Sequence, residues 1–325
     1  MNNTVEQLQL HLEEQLRLLN FPEYPGTLYE PIRYMLSLGG KRMRPVLVLL
    51  SAKMFGADVN DALHPAMGVE VFHNFTLLHD DIMDKAPLRR GNPTVHEKWN
   101  SNVAILSGDA MFVKSCQLMM MAPPSVIPAV MQLFLTTALE VCEGQQMDMD
   151  FESLSRVSIE EYLEMIRLKT AVLVGGSLGI GALIAGASSA DVQHMYDFGV
   201  NLGVAFQLQD DILDVYGDAD KFGKQVGGDI LSNKKTFLLL TAMQLADGSD
   251  AEELNGWLDY NGNDYTKKVS AVTALYNRLG VRAAAEAKME ALYAEALSHL
   301  NALPLSADQT APLRELSAML MAREN

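Results

Sequence analysis

With 325 residues, 49% of them hydrophobic and 20% charged, the chain has ample material for a buried core, which excludes disorder except at the ends. Its 41 acidic and 25 basic residues give a formal charge of −16, which argues against nucleic acid as a partner. Small anions stay possible, because their binding depends on local charge.

The chain starts polar and acidic (MNNTVEQLQLHLEEQL), without the basic segment and apolar stretch of a secretion signal. Apolar residues at three- and four-residue spacing then predict helices over 4–19, 28–55, 61–84 and 93–121. The Pro-Pro break at 122–125 ends this series, and further helices are predicted over 125–150, 158–186 and 189–216. Ser158 ahead of Glu160 and Glu161, and Ser189 with Asp191, read as helix starts. The last predicted helices are 233–247, 266–279 and 281–301, with a looser Asn/Gly/Asp cluster at 255–264. Strand-like alternation between hairpin turns is missing. The expectation is therefore all-α, with about ten or more helices in a single domain over 1–325.

The Gly-rich run 175–181 lacks the strand and the Gly-Lys-Ser/Thr ending of a phosphate loop, so close helix packing is expected of it. The most apolar stretch, Ala171 to Ala187, is too short and too rich in Gly for a membrane span, so no stable membrane insertion is expected. Cys116 and Cys142 lack CxxC spacing and read as buried thiols in a cytoplasmic protein.

One pattern occurs twice: Asp80-Asp81-Ile82-Met83-Asp84 and Asp210-Asp211-Ile212-Leu213-Asp214, each behind an apolar helical stretch. On a helix the first and last acids are i,i+4 and the second and last i,i+3, so the carboxylates share a face. Like charges so placed cost roughly a few tenths of a kcal/mol per pair, and a cation should compensate. Hard oxygen ligands in this arrangement suit Mg²⁺ together with phosphate oxygens; the plainer reading is a solvated acidic face.

Basic residues accompany both clusters. Arg89 and Arg90 follow the first, Lys224, Lys234 and Lys235 follow the second, and Lys41, Arg42 and Arg44 lie in Gly39-Gly40-Lys-Arg-Met-Arg-Pro45. Guanidinium forks and ammonium charges suit phosphate oxygens, and the combination points to two anions, one held through metal and one held directly.

With these residues the chain resembles the trans-isoprenyl diphosphate synthases, from about Tyr29 to Glu324. Leu77-Leu78-His79 through Asp84 with Arg89-Arg90-Gly91 looks like the first aspartate-rich motif of that family, and Phe206-Gln207-Leu208-Gln209 through Asp214 like the second. The resemblance implies a helical bundle around a central cavity, usually a homodimer, with three Mg²⁺ ions beside an allylic diphosphate. Asp80, Asp84 and Asp210 would bind metal, with Asp81, Asp211 and Asp214 completing the clusters on two facing helices. Arg89, Lys169, Lys224 and Lys234 would hold the allylic diphosphate. Lys41, Arg44, His73 and Arg90 would hold isopentenyl diphosphate, with Arg42 a weaker candidate. Thr170, Gln207 and Phe206 would line the reacting region, with Gln145 and Asp148 near it. Taken singly, His73 reads as a core histidine and Gln207 as a core hydrogen-bonder.

The implied chemistry is ionisation of the allylic diphosphate (dimethylallyl, geranyl or farnesyl), attack by the isopentenyl double bond, and loss of a proton. Phe75 and Thr76 lie five and four residues before Asp80, about one turn down the same wall, where the resemblance places the limit on chain growth. The expected product is C20, with C15 next. A class I terpene cyclase and a non-catalytic synthase-like subunit are the rivals. The 39–44 segment with His73 speaks against the first, and the intact acidic and basic sets against the second.

Overall fold

The computed structural model describes residues 3–217 and 227–322. They are almost wholly helical and fall into two compact units. The first comprises Met1–Thr136, Gly176–Met195 and Pro304–Leu313; the second comprises Thr137–Gly175, Tyr196–Leu303 and Arg314–Asn325.

In the first unit, α1 (Asn3–Leu18) packs on α3 (Met43–Met54), and α2 (Gly26–Ser37) on α6 (Ser101–Met119). The centre is α4 (Val59–Met83), which lies along both α3 and α6. Two glycines allow α4 and α6 to approach. A Cβ on Gly68 would stand 3.1 Å from the Ser115 carbonyl oxygen, and one on Gly108 would stand 2.2 Å from the His79 ring. The core between them is aromatic and aliphatic: Phe72, Phe134, Leu49, Leu50, Met111 and Met119 are almost wholly buried. Burial of a side chain such as Phe72 contributes roughly 2–3 kcal/mol.

Three local differences from the sequence expectation have physical causes. The helix expected over 28–55 is broken at 38–42, where Gly39, Gly40 and Arg42 all take positive φ. The helix expected over 93–121 is broken at Trp99, giving α5 (Val95–Lys98) and α6, whose start Asn100 caps through the Val103 N–H. A two-residue hairpin, β1 (Leu88–Arg89) and β2 (Asn92–Pro93), follows the first acidic cluster, with Arg90 and Gly91 at positive φ in its turn.

The second unit takes in most of α7 (Ile127–Ser153), α8 (Ile159–Ile166), a π-helical turn (Arg167–Ala171), the start of α9 (Val172–Ile184) and most of α10 (Ser189–Tyr216). After these come α11 (Gly228–Leu231), α12 (Phe237–Leu245), α13 (Gly248–Leu258), α14 (Tyr265–Leu279) and α15 (Val281–Ala302). The last helix, α16 (Ala307–Met321), continues into it from the first unit. Its core gathers Tyr162, Leu208, Ile212, Phe237, Leu240 and Tyr276.

Ser158 heads α8 in a full capping box with Glu161, as expected. The start of α10 is set one residue earlier than expected, by Ser188, whose hydroxyl accepts from the Asp191 N–H at 3.2 Å. The Gly-rich run does pack closely: a Cβ on Gly175 would stand 2.7 Å from the Tyr196 carbonyl, and one on Gly181 would stand 2.2 Å from that of Val48. Helices α13 and α16, absent from the periodicity reading, carry many charged and small residues that blur their pattern.

Two expectations are corrected here. Cys142 is exposed on α7 rather than buried, and Cys116 is half-buried. The π-helical turn carries the chain without a break from Ile159 to Ile184, so among the described residues this one helix is long and apolar enough to cross a membrane. Of its most apolar window, 72% is buried within the protein, as in a core helix.

Candidate active site

The first acidic cluster ends α4, with Asp84 as its C-cap. Its carboxylates do not share one environment. Asp80 and Asp84 keep contact with solvent, whereas Asp81 is 3% exposed and turned into the protein. Arg89, on β1, clamps it there. The Arg89 Nε donates to both Asp81 oxygens at 2.9 and 2.8 Å, and Nη2 lies 2.7 Å from Oδ1. The hairpin missed by the sequence reading is what brings Arg89 back onto the helix it follows.

Beside this cluster the same unit collects positive charge. Arg44, in the first turn of α3, donates from Nη1 to His73 Nε2 at 3.3 Å. Arg90 donates to the Gly39 carbonyl, and a Cβ on Gly40 would stand only 2.9 Å from the Arg90 guanidinium. Gly40 sits at φ +139°, so both its backbone angle and its bareness are needed there. Arg42 pairs with buried Glu70 and donates to the Leu36 carbonyl at 2.8 Å. Asn74 donates to Glu70 at 2.8 Å and fixes the other side of its carboxylate.

The electrostatic consequence is plain. Burial, then the charges of Arg44, Arg90, Arg89 and Arg42, hold the His73 pKa well below the ordinary imidazole value. The ring is neutral and accepts from Arg44. Burial also lowers the pKa of Arg44, and burial with Arg42 lowers that of Arg90. The Nε atoms of Arg42 and Arg44 are buried with no hydrogen-bond partner. Positive charge gathers here around Glu70 and Asp81, an environment that suits an anion. Of the predicted set, Arg44, His73 and Arg90 share this environment. Lys41 is exposed on the same segment, with its carbonyl held by Gln9 at 3.2 Å.

Phe75 is half-buried one turn before the acids. Its ring lies 4.7 Å from His79, 5.6 Å from Phe72 and 5.6 Å from Phe112, and Phe72 meets Phe134 edge-on at 5.3 Å. Thr76 bonds back to the His73 carbonyl at 2.8 Å.

The second cluster lies in the last turns of α10. Asp210 and Asp214 are partly exposed; Asp211 is 5% exposed. The Tyr162 hydroxyl donates to one Asp211 oxygen and Gln207 Nε2 to the other at 3.3 Å. Burial, joined by the charge of Asp229, pushes the Asp211 pKa up to about 7, against the lowering effect of these donors and of the Lys234 charge. Asp214 receives the Asp229 N–H at 2.9 Å, which ties the cluster to the start of α11. From there the chain turns at Asn233, φ +52°, into Lys234, whose N–H donates to the Asp229 carbonyl at 2.9 Å.

Lys169 and Thr170 sit in the π-helical turn, a widened backbone that often marks a functional position. The Lys169 ammonium lies 2.5 Å from Asp148 on α7. Gly144 lets α7 approach this turn closely, since a Cβ there would stand 2.2 Å from the Lys169 backbone nitrogen. Phe206 lies partly exposed on α10, one residue before Gln207. Lys224 lies outside the described residues.

Sequence reasoning missed four residues that set these positions: Glu70, Asn74, Tyr162 and Lys268. Glu70 and Asn74 carry a readable signal, two polar residues at i,i+4 in the apolar run before His73. Lys268, 4% exposed on α14, donates to Asn233 Oδ1 at 2.7 Å, while Asn233 Nδ2 donates to the Leu258 carbonyl at 2.9 Å. Nothing local to Tyr162 or Lys268 marks either of them.

Among the described residues, no three His, Cys, Asp or Glu side chains converge to form a complete metal site. Mg²⁺ typically takes one or two carboxylates and completes its shell with water and substrate phosphates.

Residues 25–278 match the Polyprenyl synthetase family. The chain is 41% identical over 235 residues to a geranylgeranyl pyrophosphate synthase of Geoglobus acetivorans, covering 72% of this chain and 73% of that one. It is 41% identical over 249 residues to a geranylfarnesyl diphosphate synthase of Natronomonas pharaonis, covering 71% and 72%. A crystal structure of a geranylgeranyl pyrophosphate synthase superposes with a TM-score of 0.94 at 44% identity, over 99% of this chain and 100% of that one.

Proposed function

The chain belongs to the polyprenyl synthetase family, and we propose that it condenses isopentenyl diphosphate with an allylic diphosphate to give a C20 diphosphate. The observation that carries this reading is the positive charge gathered around Arg44, His73 and Arg90 beside an acidic cluster in the same unit. A terpene cyclase has no use for a second, directly held diphosphate. The family match takes in parts of both units, from residue 25 to 278, which supports reading the chain as one catalytic domain.

Asp80, Asp84, Asp210 and Asp214 would hold Mg²⁺, with Asp81 and Asp211 fixing the clusters from inside. Bound Mg²⁺ supplies positive charge to the oxygens of the departing diphosphate. Lys169, Lys224, Lys234 and Arg89 add to that charge directly. Arg44, Arg90 and Lys41 hold isopentenyl diphosphate so that its double bond faces the allylic carbon, and such positioning is worth several kcal/mol of the barrier. Neutral His73 orients Arg44. Thr170, Gln207 and Phe206 line the reacting carbons, and apolar walls keep water from the cation. The released diphosphate takes the proton, so no protein nucleophile is required.

Phe75, backed by Phe112 and Phe72, forms an aromatic floor that ends chain growth. Of the relatives, one is named for the C20 product and one for a product one isoprene unit longer. A second copy of the chain fits the exposed apolar stripe on α6: Leu106, Val113 and Met120 recur at seven-residue spacing and are 61%, 57% and 58% exposed. We place the protein in the cytoplasm as a homodimer.

The test is incubation with labelled isopentenyl diphosphate, each allylic primer, and Mg²⁺ or EDTA, followed by chromatography of the dephosphorylated products. A C20 product that needs Mg²⁺ is expected, and absence of any condensation overturns the reading. Phe75→Ala should lengthen the product; unchanged lengths remove Phe75 from chain-length control.

A further inference from the structure

A second place in the first unit gathers cations around a concave surface. A cleft of about 420 Å³ opens between α1, α2 and the 38–42 turn, a size within the range of small-molecule sites. Its walls carry Arg17, Arg33 and Arg42, and its apolar lining includes Leu16, Phe21 and Leu36. Glu13 is the one acid in the lining. In a chain of net charge −16, three guanidiniums against one carboxylate is a local reversal of sign.

The three arginines differ in what they already bind. Arg33 donates to the Pro22 carbonyl at 3.2 Å, and among the described residues neither Arg33 nor Arg17 forms an ion pair. Arg42 is 8% exposed, and although its two terminal nitrogens are engaged, its Nε is buried with no partner. Two unpaired guanidiniums and a buried one with a donor to spare call for an anion. The adjoining leucines and Phe21 call for an apolar chain attached to it.

We propose that this cleft binds an amphiphilic diphosphate, a diphosphate head on a short prenyl chain, at a site separate from the residues assigned to the reaction. The proposal rests on the prenyltransferase reading only for the ligand's chemical class, which is that of its substrates and products. The head lies against Arg17 and Arg33, and the chain lies on Leu16, Phe21 and Leu36. Arg42 connects the cleft to the reaction. Its backbone is the left-handed start of α3, between Lys41 and Arg44, and its partner Glu70 lies one turn before His73. A bound anion competes with Glu70 for Arg42 and shifts the segment that holds isopentenyl diphosphate. Occupancy therefore raises KM for isopentenyl diphosphate.

Equilibrium binding of labelled farnesyl diphosphate to the full chain tests this, in EDTA and with saturating isopentenyl diphosphate. Removing metal disables the metal-held allylic site, and isopentenyl diphosphate fills its own. Saturable binding of one molecule per chain is expected, weakened at least tenfold by Arg17→Gln with Arg33→Gln. Inorganic diphosphate, which lacks the chain, should bind at least tenfold more weakly than farnesyl diphosphate. The double variant should keep basal turnover and lose any rise in KM for isopentenyl diphosphate at high farnesyl diphosphate.

Absence of saturable binding, or equal binding by wild type and double variant, overturns the site. Equal affinity for inorganic and farnesyl diphosphate overturns its amphiphilic character. A chain without synthase activity that still binds in an arginine-dependent way would refute the proposed function and leave the cleft standing.

Discussion

The two acidic clusters have nearly the same sequence, yet their middle acids sit in different electrostatic surroundings. Both Asp81 and Asp211 are buried, and in both clusters the first and last acids keep contact with solvent. Asp81 is gripped by the guanidinium of Arg89. Asp211 is held by two neutral donors, Tyr162 and Gln207, and burial pushes its pKa up to about 7. Burial thus brings Asp211 close to taking up a proton although its donors oppose the shift. A repeated motif therefore fixes where carboxylates lie along a helix, and the packing decides which partners each one meets.

The largest expected effect addresses what the clusters share. Asp80→Asn and Asp210→Asn should each reduce kcat/KM for condensation by about 10³-fold. If one variant keeps near wild-type kinetics with Mg²⁺ present, the clusters are not equivalent in catalysis and the comparison fails.

Stability measurements sharpen the contrast between the middle acids. Arg89→Gln leaves the Asp81 charge buried without its cation and should cost about 3 kcal/mol in urea unfolding. Tyr162→Phe removes a neutral donor and should cost about 1–2 kcal/mol. The reverse order would mean that the ion pair is not what holds the first cluster.

Acid titration probes the cationic side of the first unit. An unfolded histidine takes its proton near pH 6.5, whereas the fold holds His73 neutral to well below that. Its contribution to stability is complete above about pH 6.5 and is lost as the pH falls through the folded value. Wild type should therefore lose stability more steeply between pH 7 and 5 than His73→Gln. Parallel pH profiles would show that the ring is not held neutral by burial and the surrounding arginines.

The smallest effect lies furthest from the acids. Lys268→Met frees Asn233 and loosens Lys234, so KM for the allylic diphosphate should rise by about tenfold or less while kcat changes little. An unchanged KM would detach Lys268 from the second cluster.

Helix type, the paired acids and most of the basic residues were legible in the chain because they depend on spacing along it. Three- and four-residue periodicity marks a helix, and Asp at i and i+4 lies on one face whatever surrounds it. The break at 38–42 carries a readable signal in Gly39-Gly40, outweighed in the periodicity by the apolar helical patterns on both sides. The inward turn of Asp81 and Asp211 was hidden too, since i,i+3 spacing alone puts them beside the other acids.

What only the tertiary structure decided is which charges meet. Arg89 returns through a hairpin to Asp81, Tyr162 reaches Asp211 from a helix 49 residues earlier, and Lys268 reaches Asn233 across 35. Such pairs follow from packing between distant segments, and the energy of a buried charge depends on those partners rather than on its neighbours in sequence.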